Sequence, residues 1–188
     1  MGRLWAIAVG VVLLLAGTGC AGPAAGASRS PRSAHPAPSP TREPAEAAGG
    51  ACALLTFDQV ATATGVEFGV SAASNSGETY TCVLRRVETE LPELSLAVSP
   101  TLADATVFGA SIAPKGSTAV TGLGKIGYSR TLPAAAGAGP GAEIGWLSGS
   151  QQLMVLRYRT AAGTGLGDVS AVIPHLVDLA KKIDQASA

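Results

Sequence analysis

The chain has 188 residues, and its 13 Lys and Arg are balanced by 13 Asp and Glu. Residues 51–188 hold nine basic against eleven acidic residues, a net charge of −2. They therefore lack the basic footprint that a nucleic-acid partner requires. They suit one domain in length, and no repeat at a solenoid period is visible.

Arg3 is followed by an uncharged run, Leu4 to Gly19, that ends in small residues. A basic start, an apolar middle and a small-residue end describe a secretory signal over residues 1–19. The run is short of the roughly 18 residues of a spanning helix, which weighs against an uncleaved anchor. Ala16-Gly17-Thr18-Gly19-Cys20 resembles the bacterial lipobox, with Gly17 where a Leu is usual and Leu15 two residues further back. Cleavage without lipidation is the alternative. By this resemblance Cys20 would receive a diacylglyceryl thioether, and its new amino group a further acyl chain. Each buried methylene contributes about 0.8 kcal/mol, so such a lipid suffices as an anchor. The expected location is the extracytoplasmic face of the cell membrane.

Residues 20–50 read as a disordered linker. Pro23, Pro31, Pro36, Pro38, Pro40 and Pro44 stand among Ala, Gly and Ser, without large apolar residues. Such a stretch cannot bury enough surface to offset the entropy of ordering it, and proline makes it a semi-rigid spacer. Arg29, Arg32 and Arg42 are too spread to form a polybasic cluster for lipid, and His35 reads as a solvated linker residue.

The globular domain, residues 51–188, opens with a helix in Leu54–Ala61. Thr56 is its N-cap, Gln59 completes a capping box and Gly65 ends it. A strand is expected near residues 66–72, then a turn at Asn75-Ser76-Gly77 and a strand over Tyr80–Glu88. Leu94, Leu96 and Val98 alternate with Ser95, Ala97 and Ser99, the period of a strand with one buried face. Thr101–Ala110 reads as a short helix with Leu102, Ala105 and Phe108 on one stripe. A loop over residues 116–127 leads to a strand at Ile126–Leu132. The Ala/Gly segment 134–141 reads as a flexible loop. Ile144–Leu147 and Gln152–Tyr158 form a hairpin about Gly149-Ser150, and Leu153–Leu156, apolar on both faces, suits a central strand. The last helix starts at Asp168 or Pro174 and ends near Gln185, with Val169, Val172, Ile173, Leu176, Leu179 and Ile183 on one face. Pro174 favours the later start, since proline suits a first turn.

Short connections between strands imply an antiparallel sheet. The expected fold is α+β, with about five to six strands and two to three helices packed on one face. An odd cysteine count in an exported chain needs explaining. If Cys20 takes the lipid, Cys52 and Cys82 remain to pair in an oxidising compartment. A redox pair or metal site is disfavoured, because CxxC spacing is absent and two thiols make a poor metal site.

Ala51-Cys52-Ala53-Leu54-Leu55-Thr56, a short helix closed by Gly65, a second Cys in a strand, and Val120-Thr121-Gly122-Leu123-Gly124 before another strand resemble a group of small actinobacterial secreted lipoproteins of unknown function. The resemblance spans most of residues 51–188. It implies an α+β cell-envelope domain and brings no activity. Members often carry an acid after Gly-Leu-Gly; Lys125 stands there in this chain, so no role for that acid carries over.

Motifs for catalysis are sparse. Gly122-Leu123-Gly124-Lys125 lacks the spaced glycines of a phosphate loop and precedes a strand, so it reads as a turn. No Gly-x-Ser-x-Gly elbow is present. His175, beside Asp178 and Lys182 and off the apolar stripe, reads as a surface residue rather than a catalytic base. Glu88, Glu90 and Glu93 crowd a turn without EF-hand spacing. No catalytic, cofactor-binding or metal-ligating set is assigned. Arg157 and Arg159 share one side of a strand, and with Arg85 and Arg86 they are the candidate anion-binding face; outward-facing sheet residues are the alternative. Trp146, Tyr80 and Tyr128 read as core or partial core rather than ligand platforms. The expected function is a non-catalytic envelope binding or accessory module, held to the membrane through Cys20. Its partner would be an envelope protein, a wall component or a small ligand. An envelope hydrolase with an unfamiliar site and a structural subunit of an envelope complex are the alternatives.

Overall fold

The structure is a computed structural model that describes residues 43–135 and 137–188. The expected signal peptide, Cys20 and the linker up to residue 42 lie outside the described residues. The elements run α1 (Phe57–Thr64), β1 (Val70–Ser76), β2 (Thr79–Arg85), β3 (Glu93–Pro100), α2 (Ala105–Val107), β4 (Thr118–Val120), β5 (Ile126–Leu132), β6 (Gly141–Leu147), β7 (Gln152–Arg159) and α3 (Leu166–Ala186). All seven strands form one antiparallel sheet in the order β1-β2-β3-β7-β6-β5-β4. The α+β class holds, with one strand more than expected. The extra strand is β4, three residues too short and exposed to show a period. β7 takes the middle place that its two apolar faces imply.

Local chemistry explains the elements that were legible. The Thr56 hydroxyl accepts from the Gln59 N–H at 3.1 Å and starts α1. Gly65, at φ 70°, closes it in the left-handed region. Gly77, at φ 57°, turns the β1–β2 hairpin so that Ser76 faces Thr79. β1 therefore lies later than residues 66–72. It is a polar, exposed edge strand, and the buried Phe68 packs ahead of it.

Three expectations need correction. The linker does not extend to residue 50, because two 3-10 turns occupy Ala45–Ala48 and Gly50–Leu54, and Ala45, Ala51 and Cys52 are buried. Small alanines fit close against the sheet, and the Cys52–Cys82 disulfide fastens the second turn to β2. The short helix begins not at Thr101 but at Asp104, whose carboxylate accepts from the Val107 N–H at 2.8 Å. It runs into a π turn at Phe108–Ile112, and Leu102 is fully exposed. The last helix passes through Pro174 rather than starting there. Pro174 is exposed, so the carbonyl of Ser170 that it cannot serve lies on the solvent side. Starting at Leu166 also buries Val169 in line with Leu176, Leu179 and Ile183, and burying one such side chain contributes about 1.5–3 kcal/mol.

The register divides the sheet into two faces. One carries Cys82, Leu84, Leu94, Leu96, Ile144, Trp146, Met154, Leu156 and Tyr158, and α1 and α3 cover it. The Trp146 indole donates to the Asp184 carboxylate on α3 at 3.0 Å. Leu123 plugs the β5 end of this core. The Gly122-Leu123-Gly124 segment is a turn; a Cβ on Gly124 would lie 2.3 Å from the Leu147 carbonyl oxygen. Among the described residues the second face is covered only at one end, where Phe108 and Ile112 of the π turn pack on Tyr128, Leu147, Ile126 and Leu153. Its other end is open and charged.

A candidate anion-binding face

On the open half of the second face, β6 presents Gly141, Glu143 and Gly145 in alternation. Cross-strand pairing places Arg130 of β5 and Arg157 of β7 on either side of Glu143, with Ser95 of β3 next in the row. One step along, Leu132, Gly141, Arg159, Glu93 and Arg85 form the neighbouring row. The two glycines leave room for neighbouring side chains to cross β6. Tyr128 lies across Gly145, where an added Cβ would meet its ring at 2.5 Å, and Arg159 passes Gly141, where a Cβ would lie 2.9 Å from its Cδ. A cavity of about 420 Å³ opens over these rows, with Arg85 and Gly141 outside its lining.

Glu143 is 1 % exposed, yet it is fully partnered. Its Oε1 accepts from the Tyr128 hydroxyl at 2.9 Å and from Arg130 Nε at 2.7 Å, and its Oε2 accepts from Arg157 Nε at 2.5 Å. Burial alone would raise its carboxyl pKa. The hydrogen bonds from Arg130, Arg157 and Tyr128 outweigh burial and hold it below the usual carboxylate value. The Tyr128 phenol is pushed up to about 12, first by burial and then by the adjacent Glu143 charge. Glu143 in turn raises the Arg130 guanidinium above its usual value, chiefly through their hydrogen bond. The carboxylate is therefore charged at neutral pH and fixes two guanidinium groups in place.

Gly145→Ala tests this packing. The rigid Tyr128 ring would have to leave its place over β6 and release Glu143. The variant is expected to lose about 1–3 kcal/mol in urea unfolding. Unchanged stability would show that the ring does not need the gap.

Of the four arginines singled out in the sequence, Arg157, Arg159 and Arg85 share this face, as their strand positions imply. Arg86 does not. It follows the end of β2 and lines a separate depression with Glu67, Phe68 and Val87. Arg85 is tied to Glu93, with Nε at 2.7 Å from Oε2. Arg159 donates to the Pro133 carbonyl at 2.7 Å. Arg130, Glu143 and Tyr128 were missed as site residues. For Glu143 the signal was Gly-x-Glu-x-Gly at strand period, hidden because the expected loop runs up to Gly141 and the expected strand starts only at Ile144. Described residues of that loop are tied by backbone bonds: Ala135 and Ala138 bridge each other, and Gly139 donates to the Thr160 carbonyl at 2.9 Å.

Elsewhere, His175 is exposed on α3 near Asp178, Lys182 and Gln59. Tyr80, at 48 % exposed, is neither core nor partial core, whereas Trp146 is fully buried. Glu88 and Glu90 are exposed, and Glu93 is taken by Arg85. Among the described residues no group of three or more His, Cys, Asp or Glu is placed to hold a metal ion, and no helix is long and apolar enough to cross a membrane. Comparison of the chain with protein-family models, with curated proteins and with solved structures finds no match.

Proposed function

We propose that this chain is a cell-envelope lipoprotein, tethered through lipid on Cys20 to the extracytoplasmic face of the membrane. Its domain is a non-catalytic binding or accessory module that meets its ligand on the open half of the sheet. The observation that carries the binding reading is the buried Glu143 carboxylate, which braces Arg130 and Arg157 in an accessible depression. Ionic groups held this rigidly recognise by fixed geometry. The signal-like N-terminus, the Cys20 context and the disulfide support the tether and the compartment.

The hydrolase alternative loses support from His175, which is exposed and whose imidazole makes no hydrogen bond with a described residue. The structural-subunit alternative would need a broad apolar patch. The exposed large apolar residues, among them Val70, Val87, Leu102 and Leu166, sit on separate elements or loops.

Two measurements test the reading. Labelling cells with a clickable fatty acid should mark the wild type and not Cys20→Ala. Mature protein purified from envelopes should carry or recapture an envelope component that an Arg130→Ala/Arg157→Ala variant does not. No label on the wild type would remove the tether. Equal recovery by both proteins would remove the site.

A further inference from the structure

Resting on that reading of the open face, we propose that the depression binds a phosphate-bearing ligand, held between the guanidinium groups of Arg130, Arg157 and Arg159. Arg130 and Arg157 each engage Glu143 through Nε. Their terminal amino groups have no described partner, and the side chains are 33 % and 55 % exposed. Arg159 uses Nη1 on the Pro133 carbonyl and has no carboxylate within ion-pair distance among the described residues. Ser95 stands directly across from Arg157 and adds a hydroxyl to the same wall.

Charge and shape select the ligand. Arg85, Arg130, Arg157 and Arg159 face Glu93 and Glu143, four positive groups against two negative, which leaves +2 on this face. A dianion neutralises that excess, whereas a single carboxylate does not. The donors approach from three strands and from both sides of the Glu143 carboxylate. A planar carboxylate offers two oxygens to one guanidinium fork, whereas a tetrahedral phosphate offers oxygens to several forks at once. Gly141 has no side chain to obstruct Arg159 as it crosses β6, and the depression is large enough for a phosphate with part of its substituent. Glu143 is a positioning residue in this arrangement: it holds two forks in place and touches no ligand.

The test uses the mature full-length protein and its Cys20→Ala form. Inorganic phosphate and glycerol phosphate are titrated calorimetrically against acetate at equal ionic strength. Phosphate is expected to bind at least tenfold more tightly than acetate, and both Arg157→Ala and Arg159→Gln to weaken it about tenfold or more. Arg159 does not contact Glu143, so its variant separates ligand loss from any disturbance of the buried carboxylate. Sedimentation of the Cys20→Ala protein with vesicles containing phosphatidic acid, a phosphomonoester lipid, distinguishes the source. Arginine-dependent co-sedimentation identifies a lipid headgroup, and binding of the soluble phosphates without it identifies a free phosphate compound. Equal binding of acetate, or phosphate binding unchanged in both arginine variants, overturns the proposal. Arginine-dependent recovery of an envelope component that contains no phosphate overturns it while leaving the broader reading intact. Absence of any arginine-dependent ligand overturns both.

Discussion

Replacing Cys52 and Cys82 together by Ala is expected to lower the unfolding free energy by about 3–4 kcal/mol. The bond joins residues 30 apart in sequence, so breaking it returns to the unfolded chain the freedom of a loop of that size. Both cysteines are fully buried. One sits in the 3-10 turn at Gly50–Leu54 and the other in β2, next to the edge strand. That turn has no regular strand or long helix of its own to hold it, so its place against the sheet depends heavily on the disulfide. The loss should appear as a lower urea midpoint followed by circular dichroism, and reductant should reproduce it in the wild type. A midpoint unchanged in both cases would show that packing of Ala51, Cys52 and Leu55 holds the turn unaided.

The parts of this fold that were legible in the sequence are those in which one face is buried and the other is not. β3 alternates Leu94, Leu96 and Val98 with the small residues Ser95, Ala97 and Ser99, and α1 carries both of its end signals, so each is read correctly from a few residues. β5 also matches its expected bounds, although Gly127, Tyr128 and Ser129 bury both of its faces. Elements whose faces are alike gave no such signal. β1 is polar on both sides because it lies at an edge, and β4 is short and exposed. β6 is the opposite case: all seven residues are buried, but Gly141, Ala142 and Gly145 resemble loop composition. Their smallness is what lets Tyr128 and Arg159 cross the strand. The arginine face was therefore half visible. Arg157 and Arg159 share a strand period, but the buried carboxylate that organises them lay between the expected loop, residues 134–141, and the expected strand from Ile144, assigned to neither. Only long-range pairing of β5, β6 and β7 brings Arg130, Glu143 and Arg157 together, and spacing within one segment cannot encode that.

Glu143→Ala is expected to destabilise the domain by about 2–3 kcal/mol at neutral pH. The variant removes the acceptor for Tyr128, Arg130 and Arg157 at once and opens a small cavity. A sealed ion pair that loses one partner typically costs more, about 3–5 kcal/mol. Here Arg130 and Arg157 are partly exposed and regain water, which lowers the figure. The pH dependence has a definite sign. The folded-state pKa of Glu143 lies below its ordinary value, so the unfolded chain binds its proton first as the solution is acidified. Its contribution is complete above the unfolded value, about 4.3, and is lost as the pH falls through the depressed folded value. Glu143→Gln keeps the shape and removes the titration. Its unfolding free energy should therefore fall less steeply on acidification than that of the wild type, and the difference between the two proteins isolates Glu143 from every other carboxylate. Tyr128 provides a second readout. Its ionisation, near 12 in the wild type, should move down when the Glu143 charge is removed, yet remain raised because burial is the larger cause. Parallel acid profiles for wild type and Glu143→Gln, together with an unmoved Tyr128 titration, would mean that the carboxylate is not the charged brace of this face. The preorganised arginine pair would then lose its physical basis.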